Sequence, residues 1–241
     1  EIKKIDGTVY VPEDFFDSIY NAEKNSDDEY SVLVSFSGRE RNYETITQGY
    51  NRTALIDYED FNPTFTGSTF ICGKNYDVGE LPEGMSFNYS IKAQTLVKPV
   101  SVYDLQQAIP LSEDIKKDDV CLFSFIGKCT GTTQESGVGY INIVLEENDA
   151  AYTKHFSKTF ELPSVWTRFY LPFQMSKDIS AGGASVRLRY GFDPQTVELA
   201  DIRLERIEGI EYSRLNNTEK ESTYKGREDG ALWRKEALKR I

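Results

Sequence analysis

The chain has 241 residues, with 28 Lys and Arg against 39 Asp and Glu for a formal charge of −11. An acidic chain without a sustained basic block repels phosphate backbones, so nucleic acid is excluded as the expected partner. No apolar run reaches the length of a membrane span, and the length is enough to bury a sizeable core. Gly7–Val11 has the pattern of an edge strand, Phe15–Tyr20 of a helical turn and Glu23–Glu29 of an acidic loop. Ser31–Ser37 predicts a short strand, followed by a polar turn at Gly38–Asn42. From Tyr43 to Phe61 the pattern weakens; Asn62-Pro63 and Gly67 then punctuate it, and Ser68–Cys72 reads as pairing at an edge.

Period-two alternation sharpens at Ser86, with Phe87, Tyr89, Ile91 and Ala93 facing away from Asn88, Ser90, Lys92 and Gln94. Val102–Ala108 reads as the next strand, placing Asp104 and Gln106 opposite Tyr103, Leu105 and Gln107. Asp119–Ile126 is apolar on both faces, which predicts a central strand in a covered sheet. Thr130–Gly139 is a Gly, Thr and Ser loop, and Tyr140–Leu145 is a strand exposing Asn142 opposite Ile141 and Ile143.

Four alternating runs then follow in succession: Tyr152–Phe160, Trp166–Phe173, Val186–Phe192 and Val197–Leu204. Leu162-Pro163, Gly182-Gly183 and Asp193-Pro194 break them apart. Short alternating runs separated by Gly and Pro are the pattern of an antiparallel sandwich or barrel. After Ile207 the alternation stops. Glu208–Arg227 is charged and turn-rich, and Asp229 is placed to cap a helix whose Trp233, Ala237 and Ile241 share one stripe. The expected organisation is therefore an N-terminal elaboration over 1–45, a β-sandwich over 46–208, a linker over 209–228 and a helix over 229–241 that opens a following domain.

The cysteines Cys72, Cys121 and Cys129 show neither CxxC nor metal-ligand spacing. One disulfide and three half-buried thiols are the alternatives. His155 is the lone histidine, and no nucleophile motif accompanies it.

Three runs carry a family resemblance: Tyr152-Thr-Lys154, Trp166–Phe173 (WTRFYLPF) and Arg189–Leu199 (RYGFDPQTVEL). They resemble the carbohydrate-binding jelly rolls that precede family 10 glycoside hydrolase (endo-xylanase-like) domains. Phe87–Thr95 and Val102–Pro110 are similar to earlier strands of the same module, and Tyr224–Ile241 is similar to the segment leading into the hydrolase barrel. The resemblance spans residues 85–241. It implies an all-β, galactose-binding-like jelly roll that is secreted or held at the cell surface. It further implies that the module is non-catalytic and holds a plant polysaccharide, xylan or β-glucan, for a C-terminal glycoside hydrolase domain of the same chain.

Glycan hydroxyls need paired donors and acceptors, and pyranose faces need flat apolar surface. The candidates on the polar sides of the expected strands are Asp104, Gln106, Asn142, Arg189, Gln195 and Glu198, with Trp166 either a stacking ring or a ring buried at a sheet edge. If their strands pair, Arg189 and Glu198 meet, either as a structural ion pair or as a ligand clamp. The resemblance requires no cofactor and leaves room for a structural Ca²⁺ at Asp201, although one carboxylate falls short of the six to eight oxygens such an ion takes. Two other readings stand beside this one: a structural sandwich without glycan affinity, and a self-sufficient hydrolase.

Overall fold

The structure, a computed structural model, describes residues 43–216 in full. Before them it describes the strands β1 (Lys3–Ile5), β2 (Thr8–Tyr10), β3 (Glu23–Lys24) and β4 (Val32–Leu33). β1 pairs with β2, and β3 with β4, both antiparallel. The expected helical turn at 15–20, the linker from 217 onward and the helix at 229–241 lie outside the described residues.

Eight strands form the body of the unit: β8 (Ser90–Thr95), β9 (Gln106–Pro110), β10 (Val120–Thr132), β11 (Gly139–Glu147), β12 (Lys154–Leu162), β13 (Thr167–Gln174), β14 (Ala184–Arg189) and β15 (Gln195–Ile207). β13-β10-β15-β8 run side by side in one sheet and β12-β11-β14-β9 in the other. The chain steps from sheet to sheet at all but one of the connections between β8 and β15, with antiparallel neighbours throughout. That winding is a jelly roll. β7 (Phe70–Asn75) and β6 (Phe65–Thr66) extend the first sheet beyond β8, and β5 (Arg52–Ala54) pairs with the end of β15, giving a larger sheet of seven strands and a smaller one of four.

The expected all-β sandwich is therefore present, and the reason lies in the alternation. Ile141, Ile143 and Leu145 of β11 and Val186 and Leu188 of β14 point inward against Phe123 and Phe125 of β10 and Val197 and Leu199 of β15, all essentially inaccessible to solvent. Each such side chain contributes about 1.5–3 kcal/mol on burial. The apolar run at 119–126 is central as its composition predicts: β10 lies between β13 and β15 and is buried on both faces.

Two details differ from the sequence reading, and a third decides between the two alternatives for the cysteines in favour of thiols. Val102–Asp104 is a 3₁₀ turn rather than strand, closed by the Ser101 amide donating to Asp104 Oδ2 at 2.8 Å. The compact unit runs Tyr43–Asn216, because helices at Tyr43–Thr47 and Tyr212–Leu215 and the intervening Ile210 pack onto the larger sheet. The three cysteines are free, buried thiols. Cys121 and Cys129 share β10 and are separated by about 25 Å of extended chain, far beyond the reach of a disulfide.

Candidate functional site

The outward faces of the two sheets differ. On the larger sheet, Val120, Leu122 and Ile207 are covered by Ile210, Leu215, Tyr43, Ile46 and Tyr50. Further along, Ile126 and Ala200 lie under Trp166, Phe87, Met85, Leu81 and Val78. The outward face of the smaller sheet carries no apolar cluster among the described residues.

Register places a row of hydrogen-bonding side chains across all four strands of that smaller sheet: Thr159 opposite Asn142, Asn142 opposite Arg189, and Arg189 opposite Gln106. Three interstrand gaps make this row about 14 Å long. A second row runs Ser157, Val144, Arg187, Ala108. Asn142 Nδ2 donates to Thr159 Oγ1 at 3.2 Å and to Ser157 Oγ at 3.4 Å, and its Oδ1 accepts from no described residue. Gln106 is exposed; its Oε1 accepts from Arg189 Nε at 3.0 Å, which leaves its amide NH₂ facing outward without a described partner.

The centre of the face is charged. Arg189 Nη2 donates to Glu146 Oε2 at 2.7 Å, with only 8% and 5% of the two side chains accessible. Arg187 Nε stands 3.7 Å from the other oxygen of Glu146, and Arg187 Nη2 donates to Asn148 Oδ1 at 2.8 Å. This network holds Arg189 in one orientation, so that it in turn fixes Gln106.

Aromatic surface borders the row along one side. Tyr103 is 57% exposed, with the Arg189 guanidinium carbon 5.9 Å from its ring centroid. Its 3₁₀ turn is pressed against Gly191, two residues past β14, where a Cβ would meet the Val102 carbonyl oxygen at 2.5 Å and that of Ser101 at 2.8 Å. Only glycine permits that approach. Beyond Asn142, Tyr140 and Phe192 pack ring to ring at 5.6 Å, both half-buried.

Of the residues singled out from sequence, Gln106, Asn142 and Arg189 thus come together. Asp104 lies one residue from Tyr103, its carboxylate already taken by the Ser101 amide. The others are elsewhere. Trp166 is 6% exposed on the larger sheet, donating its indole N–H to the Val78 carbonyl at 3.3 Å, edge-on to Phe87 and under the Lys128 ammonium. That ring is core and offers no sugar platform. Arg189 and Glu198 do not meet, because β14 and β15 belong to different sheets. Glu198 is buried on the larger sheet, accepting from Ser90 Oγ at 2.6 Å and Asn75 Nδ2 at 3.1 Å. Gln195 is buried between the sheets, where its amide accepts from the Tyr140 N–H at 2.8 Å and donates to the Tyr140 carbonyl at 2.7 Å. Asp201 accepts from Arg168 and from Arg203 Nε. Two guanidinium groups on one carboxylate repel a cation, and no cluster of three or more acidic, His or Cys groups surrounds it among the described residues. A structural Ca²⁺ therefore does not fit at Asp201. The side chain of His155 is inaccessible, with its Nε2 3.1 Å from Glu147 Oε1, away from the row.

Tyr103, Tyr140, Glu146, Thr159 and Arg187 are the parts of this face that the sequence reading passed over. Glu146 continues the outward series 142, 144, 146 of β11, a signal present in the alternation itself.

No family model matches the chain, and no curated protein does either. Among solved structures it is similar to the N-terminal cellulose-binding domain of Cellulomonas fimi β-1,4-glucanase C, at 11% identity over 66% of this chain and 96% of that one, with a TM-score of 0.45. It is also similar to a CBM4 structure, at 15% identity over 64% and 94% with a TM-score of 0.42. A third is the CBM22-1 xylan-binding domain of Xyn10C from Paenibacillus barcinonensis, at 9% identity over 66% and 95% with a TM-score of 0.39. These likenesses are too distant to carry an assignment of function, which rests on the geometry of the face.

Proposed function

We propose that this chain is a non-catalytic carbohydrate-binding module that holds a plant-type polysaccharide, xylan or β-glucan, along the row Thr159–Asn142–Arg189–Gln106, and that it serves a glycoside hydrolase domain of the same, secreted or surface-held, protein. The observation that carries the reading is the contrast between the two faces. The larger sheet spends its outward side on apolar packing, whereas the smaller sheet presents fixed amide, hydroxyl and guanidinium groups bordered by exposed and half-buried rings. Fixed donors and acceptors lose little freedom when a sugar hydroxyl replaces water, and the rings supply the flat surface that pyranose C–H faces need.

A specific observation favours a second reading. The Arg189–Glu146–Arg187 network satisfies its own charges, as a purely structural face would. Native affinity electrophoresis through gels containing xylan, β-glucan, mannan or pectin separates the two. Retardation by xylan or β-glucan is expected, and Gln106→Ala, which removes an exposed amide without breaking the buried ion pair, is expected to weaken it about fivefold, the equivalent of about 1 kcal/mol for one lost hydrogen bond. Unretarded migration in every gel supports the structural reading instead.

A further inference from the structure

We infer that the polysaccharide is acidic: a xylan bearing uronate side groups, whose carboxylates are received by Arg187 and Lys154. This rests on the glycan-binding reading above and adds the class of substituent. Glu146 supplies one negative charge to two guanidinium groups. Arg189 takes the short hydrogen bond to it, while Arg187 stands off at 3.7 Å and makes its own bond, through Nη2, to the neutral amide oxygen of Asn148. Arg187 Nε is buried without a hydrogen-bond partner. Lys154, the register partner of Glu146 on edge strand β12, is exposed, and its ammonium makes no ion pair among the described residues.

Besides Glu146, none of the acids nearby pairs with Arg187 or Lys154 among the described residues. Glu147 is occupied by Lys177 and His155, and Asp149 accepts from the amides of Ala151 and Tyr152 in its own turn. Asp104 is held by Ser101, and Glu161 lies at the opposite end of β12, in register with Tyr140. A cationic patch on a chain of net charge −11 is out of keeping with its surroundings. A neutral glycan draws only hydrogen bonds from it, whereas a carboxylate also neutralises its charge and matches the planar donor fork of arginine. The acidic remainder of the molecule repels such a polymer everywhere else, which aligns it on this face.

The test compares retardation of the full chain by glucuronoxylan, by the same polymer after carboxyl reduction, and by polygalacturonate, each at low and high salt. The native polymer is expected to bind about tenfold tighter than its reduced form, a difference of about 1.4 kcal/mol. That ratio is expected to fall toward one at high salt and in Arg187→Gln. Lys154→Gln, at an exposed position where folding is not at stake, is expected to reduce the ratio at least threefold. Equal affinity for native and reduced xylan overturns the inference and leaves the glycan-binding reading standing; no retardation by either xylan overturns both. Polygalacturonate bound as tightly as glucuronoxylan overturns the assignment of the carboxylate to a side group.

Discussion

Trp166→Ala separates the two faces of the sandwich. The indole is 6% exposed and packs against Ile126, Ala200, Phe87 and Met85 on the outside of the larger sheet. Removing a buried tryptophan costs about 3–5 kcal/mol. Here the lower end applies, because Phe87, Met85, Leu81 and Val78 sit on a connecting segment, are only partly buried and can settle into the space. The ring's hydrogen bond to Val78 and the cation–π contact from Lys128, 4.2 Å from its centroid, are lost with it. For a unit of this size about 3 kcal/mol corresponds to a fall of about 6–12 °C in Tm. Urea unfolding followed by far-UV circular dichroism reads the stability change, and affinity electrophoresis of the folded variant reads binding. A stability loss near 3 kcal/mol with unchanged retardation is expected. A folded variant that loses retardation, or one destabilised by less than about 1 kcal/mol, would falsify the placement of this ring in a covering layer.

Two further expectations follow from the same packing. Gly191→Ala forces a methyl group to within 2.5 Å of the Val102 carbonyl oxygen, so the turn carrying Tyr103 must move; both Tm and polymer retardation should fall, and a variant wild-type in both would show that the turn has no set position. Burial pushes the thiols of Cys72 and Cys121 up to about 12. The native state therefore keeps them protonated where the unfolded chain, with ordinary thiols near 8.5, has released them. Their contribution to stability is complete below that value and is lost as pH rises from about 9 toward 12. Below pH 8 a thiol reagent should label neither in the native state and all three cysteines after unfolding; rapid native labelling of Cys121 would contradict its burial.

The strands were readable where one side of each faces the core. Tyr152–Phe160 and Trp166–Phe173 appear as β12 and β13 within a few residues, since period two reports which side chains share a face. Period two is silent on whether the other face meets water. Trp166 and Glu198 were both misplaced for that reason: their side of the larger sheet is roofed by Phe87 and by segments at 43–50, 78–85 and 210–215 that have no strand period. Asp193-Pro194 reads as a hairpin turn, yet it carries the chain across the sandwich, so Arg189 meets Gln106 and Glu146, both remote in sequence, rather than Glu198. The Tyr103/Leu105 alternation mimicked strand where a capped turn stands, because three residues of either look alike until Gly191 presses against them.

Tyr43 and Leu215, the first described residue of the unit and one next to its last, share a single apolar cluster behind the larger sheet. The polypeptide thus enters and leaves by one doorway. A pull applied at these two points would be borne across that short span, sparing the strands.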